Sequence, residues 1–288
     1  MARLALPTIA FESIVVRALE EDVGSGDVTS EACIDPGTRA LAKAVARDRV
    51  VVCGGDVFEH VMKRVDPGTE VTREVADGTT VPAGTVLWTA RGFARSLLMA
   101  ERVALNLTQR MCGIATTTRA YVDAIDPGSR TRITDTRKTM PGLRVLDRYA
   151  VRAGGAVNHR DDLGSAILIK DNHVAACGGV RNAVLRAMER APHTSVVECE
   201  IDSLDQLEDA ISAGARIVLL DNMDTPTVAE AVKRANGRAI LEASGGITLG
   251  RVTELSRAGV DAISVGALTH SAKAADIGLD FASVSPGT

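Results

Sequence analysis

Val196-Val-Glu-Cys-Glu200, Ile217-Val-Leu-Leu-Asp221, Ala239-Ile-Leu-Glu-Ala243 and Ala262-Ile-Ser-Val-Gly266 decide the fold. They begin at 196, 217, 239 and 262, steps of 21, 22 and 23 residues, with helix-forming sequence between them. Strand, helix and strand at this spacing make βαβ units and a parallel sheet. Runs as continuously apolar as Ile217–Leu220 suit strands buried on both faces. Working back, Thr131–Asp135 and Ala166–Lys170 have the same character. Six such units in sequence favour a closed α/β barrel over an open doubly wound sheet.

Upstream the rhythm differs. Between Leu41 and Gly92, short β-branched runs alternate with turns: Arg49–Cys53 before Gly54-Gly55, Thr69–Val75 before Asp77-Gly78, and Val81-Pro-Ala-Gly84 before Thr85–Thr89. This is antiparallel-sheet chemistry. Phe11–Glu21 is helical in pattern, and a helix is expected over Ser96–Arg110, with Leu98, Arg102 and Leu105 on one stripe. Ser283–Thr288 is expected to fray. The expected domains are 1–112, joined by 272–288, and 113–271.

Composition narrows the function. The 288 residues carry a formal net charge of −4, and Phe, Trp and Tyr make up 2% of them. A chain with neither a basic surplus nor stacking platforms is a poor nucleic-acid binder. No segment is apolar over enough length to span a membrane. Met1–Ala10 is only mildly apolar and lacks a small-residue cleavage site, so no signal peptide is expected. Five cysteines with no C-x-x-C spacing favour reduced thiols in a cytoplasm.

The chemistry sits where each run ends. Asp135-Thr-Arg-Lys-Thr139, Lys170-Asp-Asn-His173, Glu198 and Glu200, Asp221-Asn222, Glu242-Ala-Ser-Gly-Gly246 and Gly266-Ala-Leu-Thr-His270 follow the six runs in order. Barrel enzymes carry their sites at the C-terminal ends of strands. Between 135 and 173 stand Arg137, Lys138, Arg144, Arg148, Arg152, Arg160 and Lys170 against five aspartates. Arg144, Arg148 and Arg152 have the spacing of a solvated helix face. Arg137, Lys138, Arg160 and Lys170 suit a small polyanion, arginine as a bidentate fork and lysine as a point charge. The glycine turns Ser244-Gly245-Gly246 and Gly266–Thr269 suit phosphates. Glu198, Glu200 and Asp221 offer hard oxygens for Mg²⁺ held with substrate, or for positive charge developing on a sugar. His159 and His173 are not spaced as a helical metal pair, and either reads as a hydrogen-bonding strand-end residue.

Together these segments resemble a known family. Glu21-Asp-Val-Gly-Ser-Gly-Asp-Val-Thr29, Ala100-Glu-Arg-Val-Ala-Leu-Asn106, Gly113-Ile-Ala-Thr116, Asp135-Thr-Arg-Lys-Thr-Met-Pro-Gly-Leu-Arg144, Asn158-His-Arg160 and Leu168-Ile-Lys-Asp-Asn-His173 are similar to quinolinate phosphoribosyltransferases. So are Leu220-Asp-Asn222, Glu242–Gly246 and Gly266–His270, and the likeness runs from about residue 11 to 281. It implies an α/β fold: an incomplete seven-stranded α/β barrel with an N-terminal open-faced α/β sandwich domain. It implies that quinolinate and 5-phosphoribosyl-1-pyrophosphate (PRPP) are joined with Mg²⁺ to nicotinate mononucleotide, pyrophosphate and CO₂, a step of NAD biosynthesis. It also implies a homodimer with shared active sites, with a hexamer of such dimers as a larger form.

By the same resemblance, Arg102 reaches a neighbouring subunit's site. Arg137, Lys138, His159 and Arg160 line the dicarboxylate pocket, and Thr136 also binds substrate. Lys170 lies near the transferred sugar, and Glu200 and Asp221 hold ribose hydroxyls and metal. Ser244, Gly245, Gly246, Gly266, Ala267, Leu268 and Thr269 form the phosphate loops. Lys138, Lys170, Glu200 and Asp221 are the expected catalytic residues. The sequence departs from the family pattern at Asp147-Arg148, Ala156, Cys112 and Asp161-Asp162. Three rivals share parts of the pattern: a paralogous phosphoribosyltransferase of the molybdenum-transport type, a Schiff-base lyase using Lys170, and a non-catalytic phosphosugar-binding protein.

Overall fold

The structure is a computed structural model and describes residues 6–286. Five of the ten residues read for a signal peptide, 1–5, lie outside that range, as do 287 and 288 of the expected tail. A short 3₁₀ turn at Thr8–Ala10 comes first. In chain order there follow α1 (Glu12–Val23), α2 (Val28–Cys33), β1 (Arg39–Ala46), β2 (Val50–Val51), α3 (Gly55–Val65), β3 (Glu70–Arg73), β4 (Thr80–Val81), β5 (Val86–Phe93) and α4 (Ala94–Asp123). Then come β6 (Arg132–Thr134), α5 (Arg144–Ala153), β7 (Ile167–Ile169), α6 (Asp171–Cys177), α7 (Val180–Arg190), β8 (Val197–Ile201) and α8 (Asp205–Ser212). The chain continues through β9 (Ile217–Asp221), α9 (Thr225–Ala235), β10 (Ile240–Ser244), α10 (Leu249–Ala258), β11 (Ala262–Ser264), α11 (Ala267–His270) and β12 (Ile277–Ser285).

Contacts divide the chain into two compact units. One holds 6–119, 139–155 and 268–286 of the described residues; the other holds 120–138 and 156–267. This division differs from a break at 112/113, which falls inside the 30-residue helix α4. Segment 139–155, with α5, groups with the first unit.

The first unit contains the four-stranded antiparallel sheet β12-β1-β5-β3 and the small ladder β2-β4. Strand β1 alternates strictly, with Ala40, Ala42, Ala44 and Ala46 buried. Its other edge is not open: β12 pairs along it from Arg39↔Ser285 to Ala46↔Ile277. Ser283–Ser285 are therefore strand rather than frayed tail, because β1 would otherwise expose a row of unpaired N–H and C=O groups. Trp88 stacks on Phe58 with centroids 5.0 Å apart, both fully buried. On α4 the buried face runs through Leu97, Ala100, Ala104, Thr108, Met111 and Ala115, a helical i, i+3, i+4 pattern. Gly113 is glycine because a Cβ there would run into the backbone carbonyl of Lys273.

Also in this unit, Asp147 is completely buried and accepts from Arg110 Nε at 2.8 Å and Nη2 at 2.7 Å. The Met140 N–H adds a third bond at 3.1 Å. Arg152 is exposed, as a solvated face requires, but Arg148 is buried, which corrects its assignment to that face.

The second unit is built on the parallel sheet β6-β11-β10-β9-β8-β7. All six strands fall on the six apolar runs. Six strands stand where seven were expected, and Val157 bridges Thr134 in parallel as a single residue. That strand stops at once because the next backbone N–H, available at His159, goes to the Asp135 carboxylate at 2.6 Å instead of to a strand partner. β6 and β7 are the two ends of the sheet, so the barrel is incomplete. Among the described residues no helix is long and apolar enough to cross a membrane.

Candidate active site

The second unit collects most of the expected site residues at the C-terminal ends of its strands. Asp135 ends β6 fully buried. Its carboxylate accepts from the His159 N–H and from Asn158 Nδ2 at 2.7 Å, which ties the Asn-His-Arg segment to β6. Arg160 Nη1 donates to the Ala166 carbonyl at 3.1 Å. Burial, and after it the positive charge of Arg137, push the Arg160 guanidinium below its ordinary value. The Lys138 N–H donates to Thr136 Oγ1 at 3.1 Å, and the Lys138 side chain is exposed.

On β7 and β8, Lys170 and Glu200 form an ion pair, with Glu200 the more buried partner. Glu198 and Glu200 share one side of β8, as alternation requires. The β9 register sets Glu200 and Glu242 level with Leu219, one on each side. Asp221 ends β9 half-buried, and its Oδ2 accepts from Asn222 Nδ2 at 2.7 Å. Asn222 itself adopts φ 53°, and its N–H donates to the Ser244 carbonyl at 3.0 Å.

After β10, Gly245 turns with φ +88°, where a Cβ would come within 2.5 Å of Asn222 Cγ. Arg251 Nη1 donates to the Gly245 carbonyl at 3.0 Å, and its Nη2 donates to the Met223 carbonyl. The turn is thus held from both sides. Gly266 and Ala267 follow β11. Leu268 and Thr269 are buried and group with the first unit. Arg102, also there, is exposed and lies 3.7 Å from Glu101. Of its expected stripe, Leu105 is buried and Leu98 half-buried, so Arg102 marks the solvent edge of α4. His173 is exposed, and its Nδ1 accepts the Lys170 N–H at 2.9 Å, a helix-capping role.

Three residues complete this centre: Glu198, read from the sequence as a hard-oxygen ligand beside Glu200, and Asp135 and Glu242, read there only as strand-end residues. His159 Nε2 lies 3.3 Å from Glu198 Oε2 and 3.5 Å from Glu242 Oε1. Both carboxylates are buried, 4% and 5% exposed. Burial works against a charged ring, but the two carboxylates outweigh it and lift His159 to about 10. Burial first, and then the Glu242 charge, raise Glu198. The Arg160 N–H donates to His159 Nδ1 at 2.8 Å and opposes a second proton there. In either protonation state Nε2 carries the proton, so His159 has no lone pair facing the carboxylates and this trio is a poor metal centre. Buried strand-end acids were legible in the sequence, but nothing there tied Glu198 and Glu242 to His159.

Two family models match the chain: quinolinate phosphoribosyl transferase, N-terminal domain, over residues 27–112, and quinolinate phosphoribosyl transferase, C-terminal domain, over 114–280. This chain belongs to the quinolinate phosphoribosyl transferase family. A relative from Mycobacterium leprae, a nicotinate-nucleotide pyrophosphorylase (carboxylating), is 45% identical over 94% of this chain and 97% of its own. NadC from Streptococcus pyogenes is similar in structure with a TM-score of 0.93 and 37% identity, covering 98% of this chain and 99% of that one. The nicotinate-nucleotide pyrophosphorylase from Francisella tularensis is similar with a TM-score of 0.92, 37% identity and the same coverage. At the departure Asp161-Asp162 both side chains are exposed, and Asp162 Oδ1 accepts the Gly164 N–H at 2.9 Å, while the Asp162 charge still acts on Arg160. The segment is a bent loop, so strand alternation does not force either one inward.

Proposed function

We infer that this protein transfers the phosphoribosyl group of PRPP to quinolinate with loss of CO₂, giving nicotinate mononucleotide and pyrophosphate in NAD biosynthesis. The observation that carries the reading is that one unit brings Arg137 and Arg160 together with the Lys170–Glu200 ion pair and the Gly245 turn. A paired cation site matches two carboxylates on one ring, and a glycine turn on a late strand matches a phosphate.

The chemistry asks for positioning more than for a nucleophile. Arg137, Arg160, Thr136 and His159 hold the diacid so that its ring nitrogen faces C1′ of the ribose. As the nitrogen bonds to C1′ and pyrophosphate departs, positive charge grows on the sugar. Glu200 and Asp221 stabilise that charge, while Lys138 and Lys170 stabilise the leaving pyrophosphate. The turns at Ser244–Gly246 and Gly266-Ala267 bind the 5-phosphate through backbone N–H groups. The 2-carboxylate then leaves as CO₂; its bonding pair stays on C2, stabilised by the adjacent cationic nitrogen, and takes a proton from solvent.

Glu200 and Asp221 have the hard oxygens that suit Mg²⁺ held mainly by water and substrate phosphates, and they would hold it here. When bound, the ion neutralises charge on the pyrophosphate. The Lys170–Glu200 ion pair engages the lysine as a cation, which disfavours the Schiff-base reading. Exposed Arg102 supports a homodimer in which each subunit lends that arginine to the other's site. Five free thiols suit a reducing cytoplasm.

Mixing the protein with quinolinate, PRPP and Mg²⁺ releases pyrophosphate and CO₂ in equal amounts. Turnover with another base and none with quinolinate would remove the substrate assignment.

A further inference from the structure

We propose that Glu198 and Glu242 are positioning residues for quinolinate binding, acting through the His159 ring on Arg160. The inference rests on the quinolinate reading above and extends its site inward by one layer.

The two carboxylates come from strands separated by β9, Glu198 on β8 and Glu242 on β10, yet both reach the same ring atom, Nε2 of His159. Glu198 Oε1 and Glu242 Oε1 make no full hydrogen bond. Two buried acids aimed at one N–H are costly unless that contact has a use. Its geometric effect is clear. Contacts at Nε2 restrain the imidazole, so Nδ1 on the other edge is kept 2.8 Å from the Arg160 backbone nitrogen. The His159 N–H is fixed in turn by the buried Asp135. The Arg160 backbone is thus fixed from two sides, and its guanidinium is held further along, where Nη1 donates to the Ala166 carbonyl at 3.1 Å. A guanidinium held in place in this way binds a rigid diacid with less ordering cost than a mobile side chain would.

The test uses full-length Glu198→Gln and Glu242→Gln, which keep size and hydrogen-bonding capacity but lose the charge, with Glu198→Leu and Glu242→Leu as harsher partners. The ring is followed by ¹⁵N NMR of histidine-labelled protein; five histidines make the spectrum tractable, and His159→Gln assigns the resonances. The expected result is a shifted His159 ring signal in both Gln variants, together with a rise of about tenfold in KM for quinolinate, the loss of one well-made buried contact. KM for PRPP stays within about twofold, and the Leu variants fall further than the Gln variants. Unchanged ring signals, or a loss in kcat with KM for quinolinate unaltered, would overturn the proposal. So would one equivalent of Mn²⁺ or Zn²⁺ bound by the wild type and lost in the Gln variants, because the acids would then be metal ligands. A wild type that does not turn over quinolinate sinks the functional reading instead, and the ring spectra still decide whether the acids hold His159.

Discussion

Gly245 shows how one missing side chain shapes the site. Its φ of +88° already disfavours any L residue, and the space where a Cβ would go is filled by the Asn222 amide. That amide also bonds Asp221, so a larger residue at 245 would push on the carboxylate that ends β9. Gly245→Ala is expected to lose about 1–3 kcal/mol of stability from the strained backbone and to raise KM for PRPP more than KM for quinolinate. Denaturant melts and initial rates at varied PRPP measure the two effects; equal changes in both KM values would show that the turn does not serve the phosphate. At this scale the sequence was informative about charge and less so about partnership. Arg137, Arg160, Lys170 and Glu200 stood out because they follow strands. Glu198 and Glu242 lie within those same strand ends, but their meeting at His159 depends on β8 and β10 flanking β9, which only the folded register supplies. Cys112 was a departure without a reading. Its Sγ accepts the Cys53 N–H and donates to the Cys53 carbonyl, both at 3.2 Å, which are the bonds a serine hydroxyl would make.

The elements divide by how local their causes are. Helix α9 has its own signals, with Asp224 accepting the Thr227 N–H at 2.9 Å and Pro226 in the first turn, and the six barrel strands announce themselves by apolar runs of regular spacing. Strand β12 does not. Ile277–Ser285 is half exposed and polar in places, and it becomes a strand because β1, more than two hundred residues earlier, needs a neighbour. The same reasoning explains why the seventh barrel strand shrank to Val157, where side-chain bonds to Asp135 replaced a ladder. Removing 277–288 should therefore cost far more than trimming a loose end. The shortened chain is expected to melt several degrees lower, or to associate through the bared edge of β1. Thermal melts with light scattering check this; a truncated protein as stable and monodisperse as the full chain would mean that β12 only decorates the sheet.

Across the whole molecule the scarce aromatics are segregated. Phe11, Phe58, Phe93, Phe281, Trp88 and Tyr149 all belong to the first unit, and Tyr121 alone lies in the second, where its hydroxyl donates to the Ile247 carbonyl at 3.3 Å. The barrel unit thus has charge but almost no stacking surface with which to hold a pyridine ring. Every cation within reach of the ring's carboxylates matters more for that reason, which raises the interest of Arg102. On α4 it sits at the solvent edge of the buried face with its side chain 55% exposed, so the guanidinium is presented outward, where another subunit can use it. In a two-fold dimer with shared sites, Arg102→Ala and Lys170→Ala each inactivate every site when alone. Mixed and re-associated, a heterodimer regains one intact site, built from the lysine of one subunit and the arginine of the other, while its second site carries both defects. Random exchange at equal amounts should restore about a quarter of wild-type activity. If Arg102 served its own subunit, each heterodimer site would keep one defect and the mixture would stay as inactive as its parts.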